Sequence, residues 1–358
     1  MNDEHEHEQQ PGPGSGATLP KHSTCNQADK AGTVGTAGTA DQLGEPAATD
    51  TAATSGSALR ASSDDDVPLS DVDSALGVRT VPALRQNLQH HLFTLTLGGR
   101  IYNAPIDEPR ISTILDAGTG TGVRAIDMGD KLSHVEVVGI DISPIQPSLS
   151  GNSPNKELTG PCFSVPPNVS FVIDDLELEW ADPHPYDFIF GRMLVGSIGD
   201  WPNFIRQSFE NLKSGGWLEL QDIVMLPQCA DGTMKEGSSI KKWGDTMLEP
   251  CAVLQRYGDS ALRYKQQMID AGFTNVTEVQ YRWPTNTWPR DAHDRELGFW
   301  SYHNIVGGLS GLSLALFTRS LGWSAYRVEV FLTSVRKEMK DKNVHAWWPI
   351  YVVYGQKP

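Results

Sequence analysis

The sequence predicts an α/β protein built on an open, mainly parallel sheet. Three observations carry that prediction. A short apolar run, Ile111 to Leu115, has the character of a buried parallel strand ending in Asp116. Ile114-Leu-Asp-Ala-Gly-Thr-Gly-Thr-Gly122 then places glycines at 118, 120 and 122, as a tight turn with positive φ and close backbone approach requires. From Val123 the spacing turns helical, with Val123, Ile126 and Leu132 on one face, and Val135 to Ile140 is a second β-rich run closed by Asp141. Strand, glycine turn, helix, strand and acid in that order form the first half of a Rossmann-like, nucleotide-binding sheet.

The turn also narrows the nucleotide. A dinucleotide fingerprint is Gly-x-Gly-x-x-Gly, whereas this turn is Gly-x-Gly-x-Gly preceded by Asp116. An acid at the tip of the first strand suits an ammonium group better than a pyrophosphate. The methionine part of S-adenosylmethionine carries such an ammonium, and its carboxylate can use the helix N-terminus. Asp141, nineteen residues after Gly122, is placed to accept hydrogen bonds from both ribose hydroxyls. The bland alternatives are a glycine turn without a ligand and an Asp141 that only caps the next turn.

The remaining elements follow in chain order. Leu84, Leu88, Leu92 and Leu95 indicate a helix from Val81 to Leu97, stopped by Gly98-Gly99. Such a helix can lie over the cofactor site and bring Gln89, His90 and His91 to the ligand, although solvent-facing histidines are the more ordinary outcome. Pro144 and Pro147 break any helix after Asp141, and residues 148–167 read as an exposed loop. Val169 to Ile173 is a third strand, and Asp174-Asp175 at its end can accept from an adenine amino group. Tyr186 to Phe190 is the fourth, running into Gly191-Arg-Met193. Trp201 to Leu212 is helical, Ser214-Gly-Gly216 stops it, and Trp217 to Gln221 starts the fifth strand. Residues 227–256 are helical or irregular, with Trp243, Met247 and Leu254 in the core. Tyr264 to Ala271 is a helix capped by Gly272, Val276 to Trp283 a strand, and 284–323 an aromatic-rich, uneven stretch. Ser324 to Lys340 is an amphipathic helix, with Arg336, Lys337, Lys340 and Lys342 complementing its C-terminal dipole. His345 to Tyr354 closes the chain as a strand and gives the sheet a hairpin-like end.

Composition sets the limits. Residues 1–66 contain no Phe, Trp or Tyr and carry eleven acids against three bases, a net charge of −8. Such a segment cannot bury enough apolar surface to offset its chain entropy. Residues 1–78 are therefore expected to be a disordered acidic low-complexity tail, and 79–358 the folded domain. The acidic balance argues against direct nucleic-acid binding, which needs clustered Lys and Arg. No run of about 18 apolar residues exists, so no membrane span is expected. The N-terminus has neither the order of a secretion signal nor the Arg-rich character of a transit peptide. Cys25, Cys162, Cys229 and Cys251 lack metal-ligand spacing, and His5-Glu-His7 is read as tail charge. The expectation is an intracellular soluble protein of cytoplasm or nucleus, not secreted and without a metal.

Beyond these physical readings the chain resembles the class I S-adenosylmethionine-dependent methyltransferases, and more narrowly the fungal LaeA-like (TAM/UMTA-type) methyltransferases of secondary metabolism. The resemblance covers roughly Leu88 to Pro358. It rests on Leu115 to Met128, Gly139-Ile-Asp-Ile-Ser-Pro-Ile-Gln-Pro147, Pro166 to Asp175, Gly196-Ser-Ile-Gly-Asp-Trp-Pro202, Leu212 to Gln221, Leu314 to Arg319 and His345 to Tyr354. It implies a seven-stranded sheet in order 3-2-1-4-5-7-6 with strand seven antiparallel, and a helical substrate cap around 284–342. It puts Asp116 and Gly118–Gly122 at the methionine moiety, Asp141 at the ribose, Asp175 or Asp174 at the adenine, and Gly191 to Met193 beneath. The candidate cofactor set is Asp116, Gly118, Thr119, Gly120, Gly122, Asp141, Ile142, Asp174, Asp175, Leu176, Arg192 and Met193. The Tyr/Gly-containing stretch usual ahead of the family's first helix has no counterpart here, and 149–164 exceed the family's short connection.

Methyl transfer is an in-line displacement, so the expected work of the protein is alignment and exclusion of water. No catalytic residue is assigned; His184, His303 and His345 are each read first as structural. The acceptor pocket is expected from the aromatic stretch 284–323 and from Gly191 to Leu194, shaped for a small molecule. The resemblance also allows a nuclear regulator that binds S-adenosylmethionine and acts with velvet-type protein partners. A nicotinamide-dependent oxidoreductase is disfavoured by the glycine spacing.

Overall fold

Alternation along single strands decides how the sheet is buried. On β4 (Tyr186–Arg192), Phe188 and Phe190 enter one core and Ile189 another, and all three are fully buried. The computed structural model describes residues 82–147, 165–180 and 185–358. The expected tail at 1–78, the inserted stretch 149–164, His184, Cys25 and Cys162 lie outside the described residues.

Seven strands form one sheet in the order β3-β2-β1-β4-β5-β7-β6. β1 (Thr113–Ala117), β2 (Glu136–Asp141), β3 (Val169–Ile173), β4 and β5 (Leu212–Ile223) run parallel. β7 (Trp347–Gln356) pairs antiparallel with both β5 and β6 (Thr274–Pro284). This is the order that the resemblance implied. One face is covered by α2 (Val123–Lys131) and the 101–111 segment, which close over Ile114, Val137 and Phe188. The other is covered by α3 (Trp201–Glu210) and α5 (Tyr264–Asp270), whose Trp201, Phe204, Tyr264 and Met268 meet Leu115, Ile189 and Val353.

A third core joins α1 (Pro82–Thr96), α4 (Ser239–Val253), α6 (Ala292–Ser320) and α7 (Ala325–Lys340) to the ends of β5, β6 and β7. Two indoles fasten it. Trp283 Nε1 donates to Thr96 Oγ1 at 2.7 Å, and Trp243 Nε1 donates to Ser313 Oγ at 2.8 Å. The stretch 284–323, uneven in sequence, is mostly the single 29-residue helix α6. Its glycines obscured the periodicity, yet they serve close approaches: a Cβ at Gly308 would strike the Arg85 guanidinium, and one at Gly298 the Asn286 carbonyl.

Two other expectations change. Ser214-Gly-Gly216 does not separate helix from strand but lies inside β5 as an irregularity. Register jumps there from Tyr186↔Leu212 to Phe188↔Trp217, and the edge is satisfied by the chain end, where Gly215 N–H donates to the Lys357 carbonyl. Leu254 is half exposed rather than in the core, because α4 ends at Val253 after Pro250.

Candidate active site

The C-terminal ends of β1 to β4 surround a cavity of about 440 Å³. Its wall begins at the glycine turn. Gly118, Gly120 and Gly122 have φ of 65°, 59° and 80°, where L side chains are strained. A Cβ on Gly120 would stand 2.8 Å from Gln86 Oε1, so it would also press on the end of that side chain. The reason is α1, which lies over the turn: Thr121 N–H donates to Gln86 Oε1 (2.9 Å), and Thr121 Oγ1 donates to Asn87 Oδ1. Gln86 and Gln89 thus cover the site where the usual family stretch is missing.

Gly118, Thr119, Gly120, Asp141, Ile142, Asp174, Asp175, Leu176, Arg192 and Met193 all face the cavity. Asp116 and Gly122 do not. The Asp116 carboxylate is fully buried beneath the turn, where it forms an ion pair with Arg124 and accepts from Thr119 Oγ1 at 2.6 Å. The ammonium partner expected of it in a ligand is supplied instead by the chain. Gly122 is turned toward the Phe171 ring.

Asp141 is engaged at both oxygens. Gly120 N–H donates to Oδ2 (2.8 Å) and Ser143 N–H to Oδ1 (2.9 Å). The turn-capping alternative is therefore present, yet a carboxylate has about four acceptor positions and two remain. Gln146 Nε2 ties the same loop together by donating to the carbonyls of Gly120 and Ser143. Ile142, two-thirds exposed, and buried Leu176 present apolar surface on either side of the acids. Asp174 and Asp175 each accept one local amide, from Asp175 and Glu177 respectively.

The base of the cavity is cationic. Arg192 is 5% exposed and sandwiched between the Phe93 and Phe190 rings at 4.6 and 5.1 Å. Its Nε donates to Gln221 Oε1 (2.7 Å), Nη2 to the Ile101 carbonyl (2.8 Å) and Nη1 to His90 Nδ1 (3.1 Å). Burial, and then the Arg124 charge, pull the guanidinium well below the ordinary arginine pKa. His90, expected in solvent, is instead largely buried between Arg192 and Asp127, whose Oδ2 accepts from Nε2 at 2.7 Å. Accepting at Nδ1 and donating at Nε2 defines the neutral imidazole, and burial lowers its pKa accordingly.

Beyond Arg192 the strand ends in a strained residue. Met193 has φ 55°, and the next two amides, of Leu194 and Val195, donate to the buried Asp222 carboxylate. Across the mouth, Arg256 pairs with Glu177 and donates to the Ser197 carbonyl, while Glu177 also accepts from Gly199 N–H (2.8 Å). Sequence reading missed Gln86, Arg124, Glu177 and Arg256. Arg124 lies within the Leu115 to Met128 motif without a role marked by it, the other three belong to no motif, and Arg256 reaches the mouth from a loop 79 residues beyond Glu177.

The aromatic stretch 284–323 does not line this cavity. Trp300 packs edge-on against His91, and Phe317 and Trp323 pack against each other. His345 is bound through Nδ1 to Asp231 Oδ2 (2.5 Å) and stacked on Trp288, and His303 is buried. Neither histidine lines the cavity.

A family model described as a methyltransferase domain matches residues 88–278. Methyltransferase pytC of Aspergillus terreus is 39% identical over 275 residues, covering 76% of this chain and 80% of that protein. Probable methyltransferase tdiE of Emericella nidulans is 33% identical, with 79% and 84% covered. Secondary metabolism regulator LAE1 of Cochliobolus heterostrophus is 32% identical, with 76% and 86% covered. Glycine turn, sheet order and these likenesses agree: the chain belongs to the class I S-adenosylmethionine-dependent methyltransferases, within the fungal LaeA-like family.

Proposed function

We propose that the cavity seats S-adenosylmethionine with its ribose hydroxyls on Asp141 and its adenine between Ile142 and Leu176, near Asp174 and Asp175. The methionine end then lies over Gly118 to Gly120, toward Arg192 and Met193. The observation that carries this reading is convergence: three acids from the ends of β2 and β3 and a glycine-rich turn from β1 border one cavity. When bound, the cofactor supplies an electrophilic methyl group on a sulfonium.

The chain's own residues align and enclose. Glu177 and Arg256 brace one side of the mouth, and α1 covers the other through Gln86. His90 offers no basic lone pair, since Nδ1 already accepts from Arg192. The acceptor is a small molecule of fungal secondary metabolism, entering over Met193 and Leu194; the greater identity to pytC than to LAE1 favours this over the regulator. The domain comprises 79–358, with α6 and α7 as its cap. No described helix is long and apolar enough to cross a membrane.

Calorimetry tests the cofactor: S-adenosylhomocysteine should bind and NADH should not, and the reverse result overturns the reading. Transfer of a labelled methyl group into small molecules of a producing fungus's extract tests the acceptor. Label only in protein, together with capture of velvet-type partners, would favour the regulator instead.

A further inference from the structure

Arg192 is a buried cation without a carboxylate of its own. Its three donated hydrogen bonds end on neutral acceptors, and among the described residues no acid lies within ion-pair distance of it. Three acids stand one residue further off. Glu219 bonds to Gln221, Asp127 to His90, and Asp116 to Arg124, which stacks on the same Phe190 ring. A guanidinium has five N–H donors, so two remain uncommitted on a side chain held between two rings and bordering the cavity. An unpaired charge at this depth is costly unless something else supplies the anion.

The glycine turn offers little competition. Thr119 N–H donates to the Ile140 carbonyl, Gly120 N–H to Asp141, Thr121 N–H to Gln86 and Gly122 N–H to the Thr119 carbonyl. The first turn of α2 is without a side-chain cap. We propose that Arg192 is the carboxylate receptor of the cavity, filled by the α-carboxylate at the amino-acid end of the cofactor, with the open first turn of α2 beside it. This rests on the cofactor reading above. A planar fork matches a carboxylate where an ammonium would not.

The test compares S-adenosylhomocysteine with its decarboxylated analogue by calorimetry on the full chain. Wild type should bind the analogue about 10- to 100-fold more weakly, the range for losing a charge-assisted pair. Arg192→Gln should weaken S-adenosylhomocysteine by a similar factor and leave the analogue's affinity unchanged. Arg192→Lys, which keeps charge and bulk if the Gln variant does not fold, should lose several-fold for S-adenosylhomocysteine and nothing for the analogue. Equal losses for both ligands would assign Arg192 a structural role and overturn the proposal. Unchanged S-adenosylhomocysteine affinity would also overturn it, and is the result expected if the guanidinium serves a carboxylate on the acceptor. Wild type that binds neither nucleoside would instead remove the cofactor reading itself.

Discussion

Replacing Asp141 by Asn removes a charge and one acceptor oxygen from a side chain that carries two structural bonds. Gly120 N–H and Ser143 N–H each hold a different oxygen, at 2.8 and 2.9 Å. An amide can serve only one of them and presents its NH₂ to the other. One lost bond to a charged acceptor corresponds to about 1.5–3 kcal/mol, toward the lower end for this partly exposed site. Ligand-free stability should therefore drop by about 1–2 kcal/mol, read from urea unfolding. Affinity should fall further, by at least about 10-fold, because the two open acceptor positions face the ribose hydroxyls in the proposed pose. A cycle with the 2′,3′-dideoxy analogue of S-adenosylhomocysteine separates the two effects. If Asp141 holds the hydroxyls, the variant and wild type should differ far less for that analogue. Identical losses for both ligands would refute the ribose assignment and leave Asp141 as a cap.

Three further outcomes are expected. Burial raises the pKa of both Glu219 and Asp222 to about 7. The folded state then holds protons that the unfolded chain releases above about pH 4, so stability should fall as pH rises toward 7 and level off beyond it. Stability at pH 8 that is no lower than at pH 6, or a Glu219→Gln variant with an unchanged slope, would contradict this. Gly120→Ala combines a positive φ of 59° with a Cβ 2.8 Å from Gln86 Oε1. It should cost about 1–2 kcal/mol through the left-handed backbone, since the end of the Gln86 side chain can move aside; unchanged urea unfolding would contradict the strained turn. Phe188→Ala empties a fully buried site between Tyr102 and Phe190 and should lower stability by about 3–5 kcal/mol, with a loss below 1 kcal/mol counting against the core described.

Continuity in the sequence governed what could be read from it. The run from Ile111 to Asp141 contains its own strands, turn and helix, because each signal is a period or a glycine requirement spanning a few residues. Boundaries moved by a residue or two, as at β1, where Asp116 lies within the strand rather than at its tip. Longer helices were harder to see. The stretch 284–323 read only as uneven, although in α6 Gly308 lies where the Arg85 side chain passes closely and Gly311 where the surface is open.

By itself the sequence determined the order of strands and helices, the glycine turn, and acids at the ends of β2 and β3, since backbone preference and burial period are local properties. Tertiary structure alone decided what each polar group faces. Asp116 turns inward to Arg124, His90 fits between Arg192 and Asp127, and Arg256 reaches back to Glu177. Those pairings depend on which segments the sheet brings side by side. A charge excluded from water must find its partner among whatever packing places within about 3–4 Å, and that distance is not written in the spacing along the chain.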